Sequence, residues 1–319
     1  MTLRDVPLMF RAIMTQSYSS QFKRLMNHLP TGIRRAYRYD RRLQQLYALL
    51  APSKFCAPKV KFVMLGKYRV GSNYLAHLLN SHPDIEVHGE LFNVGNLAYA
   101  TQWVHHPKRC IGSFFAQANS GSYAKGFKLM YNQLSVIEFD VDNWPPYLPE
   151  RLHYEIERLR RRIRTPLAKI ERNFDDALRY MIGVENVKVV HLKRRNMLDT
   201  LLSMKKALLE DNWKGAPYNT EKIQLTTSEC EKFFRETLAQ QTRYASIFSQ
   251  CPTFDLYYED LLANRNAVLH DLQTFLEVPP CPALSAPFGK QGRTSRSCKI
   301  DNYDLLQRHF EGTEWGHFF

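Results

Sequence analysis

The sequence predicts an α/β fold with a mostly parallel central sheet. Short apolar runs bounded by charge or glycine alternate with segments whose leucines recur at helical spacing. Four of these runs are predicted to be strands or to begin as strands: residues 60–66, 126–130, 187–193 and 254–262. Because helical patterns separate them, right-handed crossovers should bring the strands together in parallel.

Residues 1–52 are predicted to form a basic helical extension ahead of the main domain, which spans residues 59–319. Apolar residues recur at helical spacing from Phe22 to Leu50. Five arginines crowd the second half of this segment: Arg34, Arg35, Arg38, Arg41 and Arg42. A solvated helix face is the simplest interpretation, and a peripheral contact with an anionic membrane or a contact with a partner chain is the alternative hypothesis.

Helices are predicted to follow the strand at 187–193 and the segment at 254–262, and two further helices and one loop are predicted in the main domain. A first helix should start at Ser72 or Asn73, directly after a glycine turn. A long amphipathic helix is predicted from Arg151 to Phe174. Residues 279–296, rich in proline, glycine, serine and basic side chains, are predicted to form a loop that could cover an anionic ligand or serve as a solvated linker.

Composition and charge limit the possible functions. The 319 residues carry a formal net charge of +13, which suggests an anionic ligand, a membrane surface or nucleic acid as partner. Six cysteines without a CxxC pair favour neither a zinc ribbon nor a disulfide framework. With no secretory-signal pattern and no apolar run of about eighteen residues, a cytoplasmic protein is expected.

The segment LGKYRVGSNYL is predicted to bind an oxyanion. A strand that enters a helix through a glycine turn points several backbone N–H groups at one spot. Gly71 allows close approach of the backbone, Ser72 and Asn73 add donors, and Arg69 adds a permanent charge. The turn lacks the Lys-Ser/Thr pair of GxxxxGK[ST], which disfavours an ordinary ATPase or GTPase.

A second oxyanion site is predicted after the strand at 187–193. Arg195 follows this strand, and Ser203 lies eight residues further along the next helix. Taken alone, these residues would be a surface ion pair and a helix-surface hydroxyl. Two oxyanion sites at the carboxyl ends of parallel strands fit a nucleotide with phosphates at both ends.

Together these motifs resemble the sulfotransferases that use 3′-phosphoadenosine 5′-phosphosulfate (PAPS). The chain is most similar to bacterial carbohydrate sulfotransferases, in particular the nodulation-factor sulfotransferases. Six segments carry the resemblance in order, from about Lys59 to Phe319: LGKYRVGSNYL, HPDIEVHGELFN, GFKLMYNQL, VVHLKRRNMLDTLLSMKKA, YYEDLL and IDNYDLL with GTEWGHFF.

The resemblance implies a P-loop-like, three-layer α/β fold that binds PAPS, releases adenosine 3′,5′-bisphosphate (PAP) and needs no metal. It places a first group of residues around the 5′-phosphosulfate: Arg69, Val70, Gly71, Ser72, Asn73 and Tyr74. Arg195 and Ser203 would hold the 3′-phosphate, and Lys290 and Arg293 would lie in a loop that closes over the nucleotide. Better-known animal enzymes have lysine at the position of Arg69, so this arginine is expected to act by charge alone.

Two residues compete for the role of general base toward the acceptor hydroxyl. Glu90 in GELFN matches the acid that relatives use. His88 is the alternative because an unperturbed histidine titrates near pH 6.5. The resemblance favours Glu90.

The acceptor is left open by the sequence. A carbohydrate hydroxyl is favoured, and a hydroxyl or amine of a secondary metabolite is the alternative. Residues 92–124 and 205–228 are predicted to be acceptor loops, and their aromatic and imidazole side chains would stack on sugars or simply pack: Tyr99, Trp103, His105, Phe114, Phe115, Trp213 and Tyr218. His105 and His106 have no evident third metal ligand.

Two other function classes are alternatives to a sulfotransferase. A polyanion- or RNA-binding module would use the basic helices, but no RNP-like, zinc-knuckle or helix-turn-helix signature is present, so no nucleic acid partner is expected. A small-molecule kinase would need the missing Walker lysine. The oligomeric state is left open.

Overall fold

Five parallel strands form the central sheet in the part of the chain that the computed structural model describes, which is residues 58–93, 104–116, 122–135, 165–210, 212–213, 222–282, 284–286 and 296–319. The strands are β1 (Val60–Gly66), β2 (Ile85–Glu90), β3 (Ala124–Met130), β4 (Val187–Lys193) and β5 (Thr253–Tyr257). Their order across the sheet is β2-β3-β1-β4-β5, and every neighbouring pair is parallel. The predicted parallel sheet is confirmed.

Helices connect and cover these strands. They are α1 (Ser72–Asn80), α2 (Pro107–Ala116), α3 (Leu167–Ile182), α4 (Met197–Leu209), α5 (Thr227–Ile247), α6 (Tyr258–Ala263), α7 (Arg265–Phe275) and α8 (Tyr303–Phe310), followed by a 3₁₀ turn at Gly316–Phe318. Among these described helices, none is long and apolar enough to cross a lipid bilayer.

The alternating side chains of β1 divide the core into two layers. Phe62 and Met64 pack on one face of the sheet in a cluster with α1 and α7. Val63 and Leu65 pack on the other face in a cluster with α2, α3 and α5. Helices on both faces of a parallel sheet, with a glycine turn joining the central strand to α1, confirm the P-loop-like three-layer class.

A third apolar cluster fixes the start of α4. Leu198 of α4 packs with Phe234 of α5 and with Phe318 near the carboxyl terminus. Asn196 caps α4 by accepting a hydrogen bond from the backbone of Asp199 at 2.9 Å, and its amide donates to the Phe318 carbonyl at 2.8 Å. The cap and these packing contacts therefore fix the residue at which α4 begins after β4.

The long helix predicted from Arg151 to Phe174 is wrong at Thr165 and Pro166. Both residues are non-helical, and α3 begins only at Leu167. Proline has no backbone N–H and disfavours a helical residue before it, so a helix starts after this pair instead of running through it. The part of the prediction before Thr165, and the extension at residues 1–52, lie outside the described residues.

Four elements were missed by the sequence patterns: β2, α2, α5 and α8. The loop predicted at 92–124 contains α2, and no strand was predicted at β2, where Glu86 and His88 interrupt the apolar run. No helix was predicted for α5 either, although Thr226 and Glu229 form a capping box, which is a sequence signal for the start of a helix. The predicted loop at 205–228 also overlaps the last turn of α4.

A chain of polar contacts links the buried Tyr131 and His191 to the exposed side chain of Asp255. His191 of β4 is 2% exposed, and its Nε2 lies 2.5 Å from the Tyr131 hydroxyl. Its Nδ1 lies 3.4 Å from Asp255, which also pairs with Lys193. Burial, and then the charge of Lys193, lowers the pKa of His191 to about 4 although Asp255 acts in the opposite direction.

Acid should destabilise the fold through His191. The unfolded state binds a proton near pH 6.5 and the folded state only near pH 4, so stability is complete above pH 6.5 and falls as the pH drops toward 4, by about 3 kcal/mol in the limit. A His191→Asn variant should lose this part of the pH dependence in urea unfolding. The exposed His270→Gln variant is the control, and equal slopes for wild type and His191→Asn between pH 6.5 and 4.5 would contradict the assignment.

Candidate active site

Polar side chains from four neighbouring strands meet at the carboxyl edge of the sheet. The turn after β1 carries Arg69, β2 ends at Glu90, and Lys128 lies near the end of β3. Arg194 and Arg195 follow β4. Parallel strands bring these positions to one edge of the sheet, where ligands of α/β proteins bind.

Gly71 shapes the turn between β1 and α1. Its φ of 90° lies in the left-handed region, and a Cβ at this position would overlap the ring of Tyr258 at the start of α6. Arg69 is also left-handed, with φ of 68°. Gly71 has no side chain to cap α1, and the first turn of α1 has no acidic residue, so neither competes with an anion for the N–H groups of that turn.

Arg69 joins the turn to α4. Its Nε donates to the Ser203 hydroxyl at 3.0 Å, and its Nη1 donates to the Trp213 carbonyl at 3.2 Å. The structure therefore brings together two of the predicted site residues that are 134 positions apart. Lys67, the other cation of the turn, contacts α5 instead, where it donates to Gln240 at 2.9 Å.

Burial lowers the pKa of Lys67 to about 8, and the carboxylate of Glu236 acts against this shift. Its ammonium also lies over the Phe233 ring, 4.6 Å from the centroid. Arg69 is consequently the cation of the turn that faces Ser203.

Arg195 is brought to the same edge of the sheet but is paired with a carboxylate. Its two terminal nitrogens each donate to an oxygen of Asp260 at 2.7 Å, and its guanidinium stacks over the Tyr257 ring at 4.3 Å. Half of the Arg195 side chain is exposed to solvent. No contact between Arg195 and Ser203 is present among the described residues.

Arg194 was missed by the sequence analysis because the pair Arg194-Arg195 does not reveal which member faces the turn. Its Nη1 donates to the Arg69 carbonyl at 3.4 Å, and its guanidinium lies over the Tyr258 ring at 5.3 Å. It also pairs with Asp199 at 3.3 Å. Arg194 thus packs against the back of the turn.

Asp199, in the first turn of α4, binds a second arginine from the predicted basic loop. Arg296 donates to its two carboxylate oxygens at 2.9 and 3.3 Å. Burial raises the pKa of Asp199, but the hydrogen bond from Arg296 and the charges of Arg194 and Arg296 outweigh it and hold the pKa below its usual range. Lys290 and Arg293 lie outside the described residues.

The remaining predicted cofactor residues differ in exposure. Val70 is buried in the core beside α1, so its side chain packs in the apolar cluster. Tyr74 is half-buried against the same cluster, Ser72 is buried, and Asn73 is exposed.

Glu90 lies in a network of polar side chains. It accepts hydrogen bonds from Gln133 at 3.0 Å and Asn93 at 2.9 Å, and Lys128 lies 3.5 Å from its other oxygen. Lys128 in turn donates to Asn73 of α1 at 2.6 Å. The candidate base is thereby connected to the glycine turn.

A β-bulge determines which face of the sheet Glu90 occupies. His88 pairs with Phe127, but the next paired residues are Glu90 and Lys128, so Gly89 is extra. In a regular strand, residues two positions apart share a face, so Glu90 would lie on the His88 face. The bulge moves it to the α1 face, where Asn73 also lies.

His88 lies on the opposite face from Glu90. Its ring contacts Phe114 of α2 edge-on, with centroids 5.6 Å apart. The His88 side chain is exposed, but partial desolvation by its neighbours lowers its pKa. The two candidate bases are therefore separated by the sheet.

An aromatic pair lies beside Arg69. The rings of Tyr68 and Trp213 meet edge-on with centroids 6.3 Å apart, and Asn132 donates to the Tyr68 hydroxyl at 3.0 Å. By contrast, Phe114 and Phe115 are buried in the core.

Other acceptor-loop predictions receive less support or fall outside the structure. His105 contacts the Thr165 hydroxyl at 3.3 Å, and Tyr99, Trp103 and Tyr218 lie outside the described residues. In the described ranges no group of three or more His, Cys, Asp or Glu side chains is arranged to hold a metal ion.

Comparison with known proteins gives a family match over most of the chain. A model of the sulfotransferase family matches residues 62–282. The chain is 26% identical to Nodulation protein H of Rhizobium tropici over 262 residues, covering 81% of this chain and 92% of that protein. It is 22% identical to Nodulation protein H of Rhizobium meliloti over 269 residues, covering 82% and 96%.

Among solved structures, the chain is similar to a sulfotransferase from Alicyclobacillus acidocaldarius. The TM-score is 0.42 at 14% sequence identity, and the match covers 80% of this chain and 92% of that one. The family match and the two relatives confirm the resemblance inferred from the six sequence segments.

Replacing Gly71 by alanine should destabilise the protein more than replacing Gly312. Both glycines have a positive φ, but only Gly71 lies against a ring, while a Cβ on Gly312 meets nothing within 4 Å. In urea unfolding, we expect Gly312→Ala to lower the free energy of unfolding by about 1 kcal/mol and Gly71→Ala to lower it by at least about 2 kcal/mol. Equal losses would mean that the Tyr258 contact places no constraint on the turn.

Proposed function

Since the chain belongs to the sulfotransferase family, we propose that it transfers the sulfuryl group of PAPS to a hydroxyl of a carbohydrate or another polar small molecule. The observation that carries this proposal is the 3.0 Å contact between Arg69 and Ser203. It brings one residue of each predicted phosphate site into contact, which supports a single site for a nucleotide with anionic groups at both ends.

The turn after β1 would bind the 5′-phosphosulfate. The N–H groups at the start of α1 and the side chains of Ser72 and Asn73 supply donors, and Gly71 lets the ligand approach the backbone. Tyr74, half-buried at the same turn, would contact the nucleoside.

The 3′-phosphate would bind Ser203 and Arg195. In the structure Arg195 is held by Asp260, so the phosphate would have to compete with that carboxylate for the guanidinium. Because this ion pair is largely exposed, its loss would cost little. Lys290 and Arg293 remain candidates for closing over the nucleotide.

Arg69 would stabilise the leaving group. During in-line transfer the bond from sulfur to the bridging oxygen breaks, and PAP leaves with the electron pair. The permanent charge of Arg69, held by Ser203 and Trp213, would neutralise the developing negative charge without donating a proton.

Glu90 would act as the general base. The acceptor oxygen forms the new bond to sulfur, and its proton passes to the carboxylate. The β-bulge supports Glu90 over His88, because it turns Glu90 toward the α1 face on which the donor would bind. His88 remains on the α2 face.

The acceptor would lie against Tyr68 and Trp213. Trp213 contacts Arg69, while Tyr68 is linked through Asn132 to the loop that carries Gln133, the partner of Glu90. The aromatic pair therefore borders the space between leaving group and base. A sugar ring suits such a surface, and a hydroxyl or amine of a secondary metabolite is the alternative acceptor.

Incubation with PAPS and a panel of oligosaccharides and hydroxyl- or amine-bearing metabolites, read by mass spectrometry, tests the reaction. Wild type should add one sulfate to an acceptor. Glu90→Gln and Arg69→Ala should each lower kcat by about 100-fold or more. Glu86→Gln, which removes a carboxylate of β2 on the other face, is the matched control. Full turnover by Arg69→Ala or Glu90→Gln would contradict the assigned role.

Arg195 should determine preference for the 3′-phosphate. Calorimetry with PAP and with adenosine 5′-monophosphate separates this contact from the rest of the nucleotide. We expect Arg195→Met to raise the Kd for PAP by about 10-fold or more and the Kd for the monophosphate by less than about 2-fold. The exposed Arg265→Met variant controls for net charge. A parallel loss for both nucleotides would remove Arg195 from the 3′-phosphate site.

A further inference from the structure

Lys128 is a buried lysine between the donor turn and the candidate base. It is 7% exposed, and its ammonium lies 2.6 Å from the Asn73 side-chain oxygen and 3.5 Å from Glu90. A buried ammonium is costly unless it is paired and hydrogen-bonded. Both of these partners belong to the proposed reaction site, which distinguishes Lys128 from a lysine that only stabilises the core.

A second buried lysine on the same strand provides the contrast. Lys125 is 3% exposed, but it lies on the other face of β3, with its ammonium 4.7 Å from the centre of the Phe114 ring. Burial lowers the pKa of Lys125. Lys125 therefore lies on the other face, over the Phe114 ring and near the Glu86 carboxylate, whereas Lys128 contacts Asn73 and Glu90.

The position of Lys128 follows from strand register. It pairs with Met64 of β1, whose side chain packs on the α1 face, and with Glu90 of β2 after the bulge at Gly89. The register brings the ammonium under the first turn of α1, and the bulge brings the carboxylate to it. Two separate backbone features therefore converge on this one ammonium.

We propose that Lys128 is a positioning residue that couples the donor turn to the general base. This rests on the proposed function. Lys128 holds the Glu90 carboxylate on the α1 face, toward the acceptor hydroxyl whose proton it would take. Through Asn73 it fixes that carboxylate relative to the turn that binds the phosphosulfate. Misplacement of a base by even a fraction of an ångström slows proton transfer, so this contact acts on turnover.

Four variants test the coupling with the acceptor that wild type sulfates best in the panel above. Lys128→Met removes the ammonium and should lower kcat by about 30-fold or more, while the Kd for PAP changes by less than about 3-fold. Lys128→Arg keeps the charge and should recover most of the lost kcat. Lys125→Met, matched in burial and strand, should stay within about 2-fold of wild-type kcat.

The double variant Glu90→Gln with Lys128→Met reports whether the two residues act as a unit. We expect it to be slower than Glu90→Gln alone by less than about 3-fold, because the lysine has no carboxylate left to position. Additive losses would overturn the coupling, as would a Lys128→Met enzyme with near wild-type kcat. A loss of PAP affinity equal to the loss of kcat would also overturn it. The Kd for PAP tests the donor site separately from the coupling. The proposed reaction is tested by sulfate transfer with the wild-type enzyme, so it can stand even if the coupling fails.

Discussion

The parallel arrangement of the five strands is the constraint on which the site depends. Hydrogen bonding between parallel strands fixes their direction, so the residues that follow each strand emerge at the same edge. Arg69 and Ser203, far apart in the chain, meet there at 3.0 Å. Glu90 and Lys128 meet at the same edge from the two strands on the other side of β1. Apolar layers on both faces then hold this edge in place.

Two local departures from regular backbone aim the functional groups. The left-handed Gly71 turns the chain from β1 into α1 and makes room for the Tyr258 ring. The extra residue Gly89 moves Glu90 to the opposite face of the sheet from His88. Bulges and left-handed turns weaken regular structure, and proteins use them next to sites where a side chain must be redirected. Here both occur at the carboxyl ends of strands, at the same edge of the sheet.

Carboxylates pair with several of the arginines at the edge of the sheet. Asp199 pairs with Arg194 and Arg296, and Asp260 pairs with Arg195. These carboxylates keep the guanidinium groups ordered at the edge of the sheet. The positive net charge of the chain is therefore partly compensated at this edge.

The sequence by itself determined the elements whose signals are local. The apolar run at 60–66, the glycine turn and the helix starting at Ser72 are found as predicted, because strand propensity, turn chemistry and helical period all act within a few residues. Strand β2 was missed because it lies at the edge of the sheet and its second half contains the polar residues His88 and Glu90. Only the tertiary structure decided that Arg194, and not Arg195, packs behind the turn, and that Lys128 lies between Asn73 and Glu90. Those outcomes depend on strand register and on one inserted residue, which pair positions that no local pattern connects.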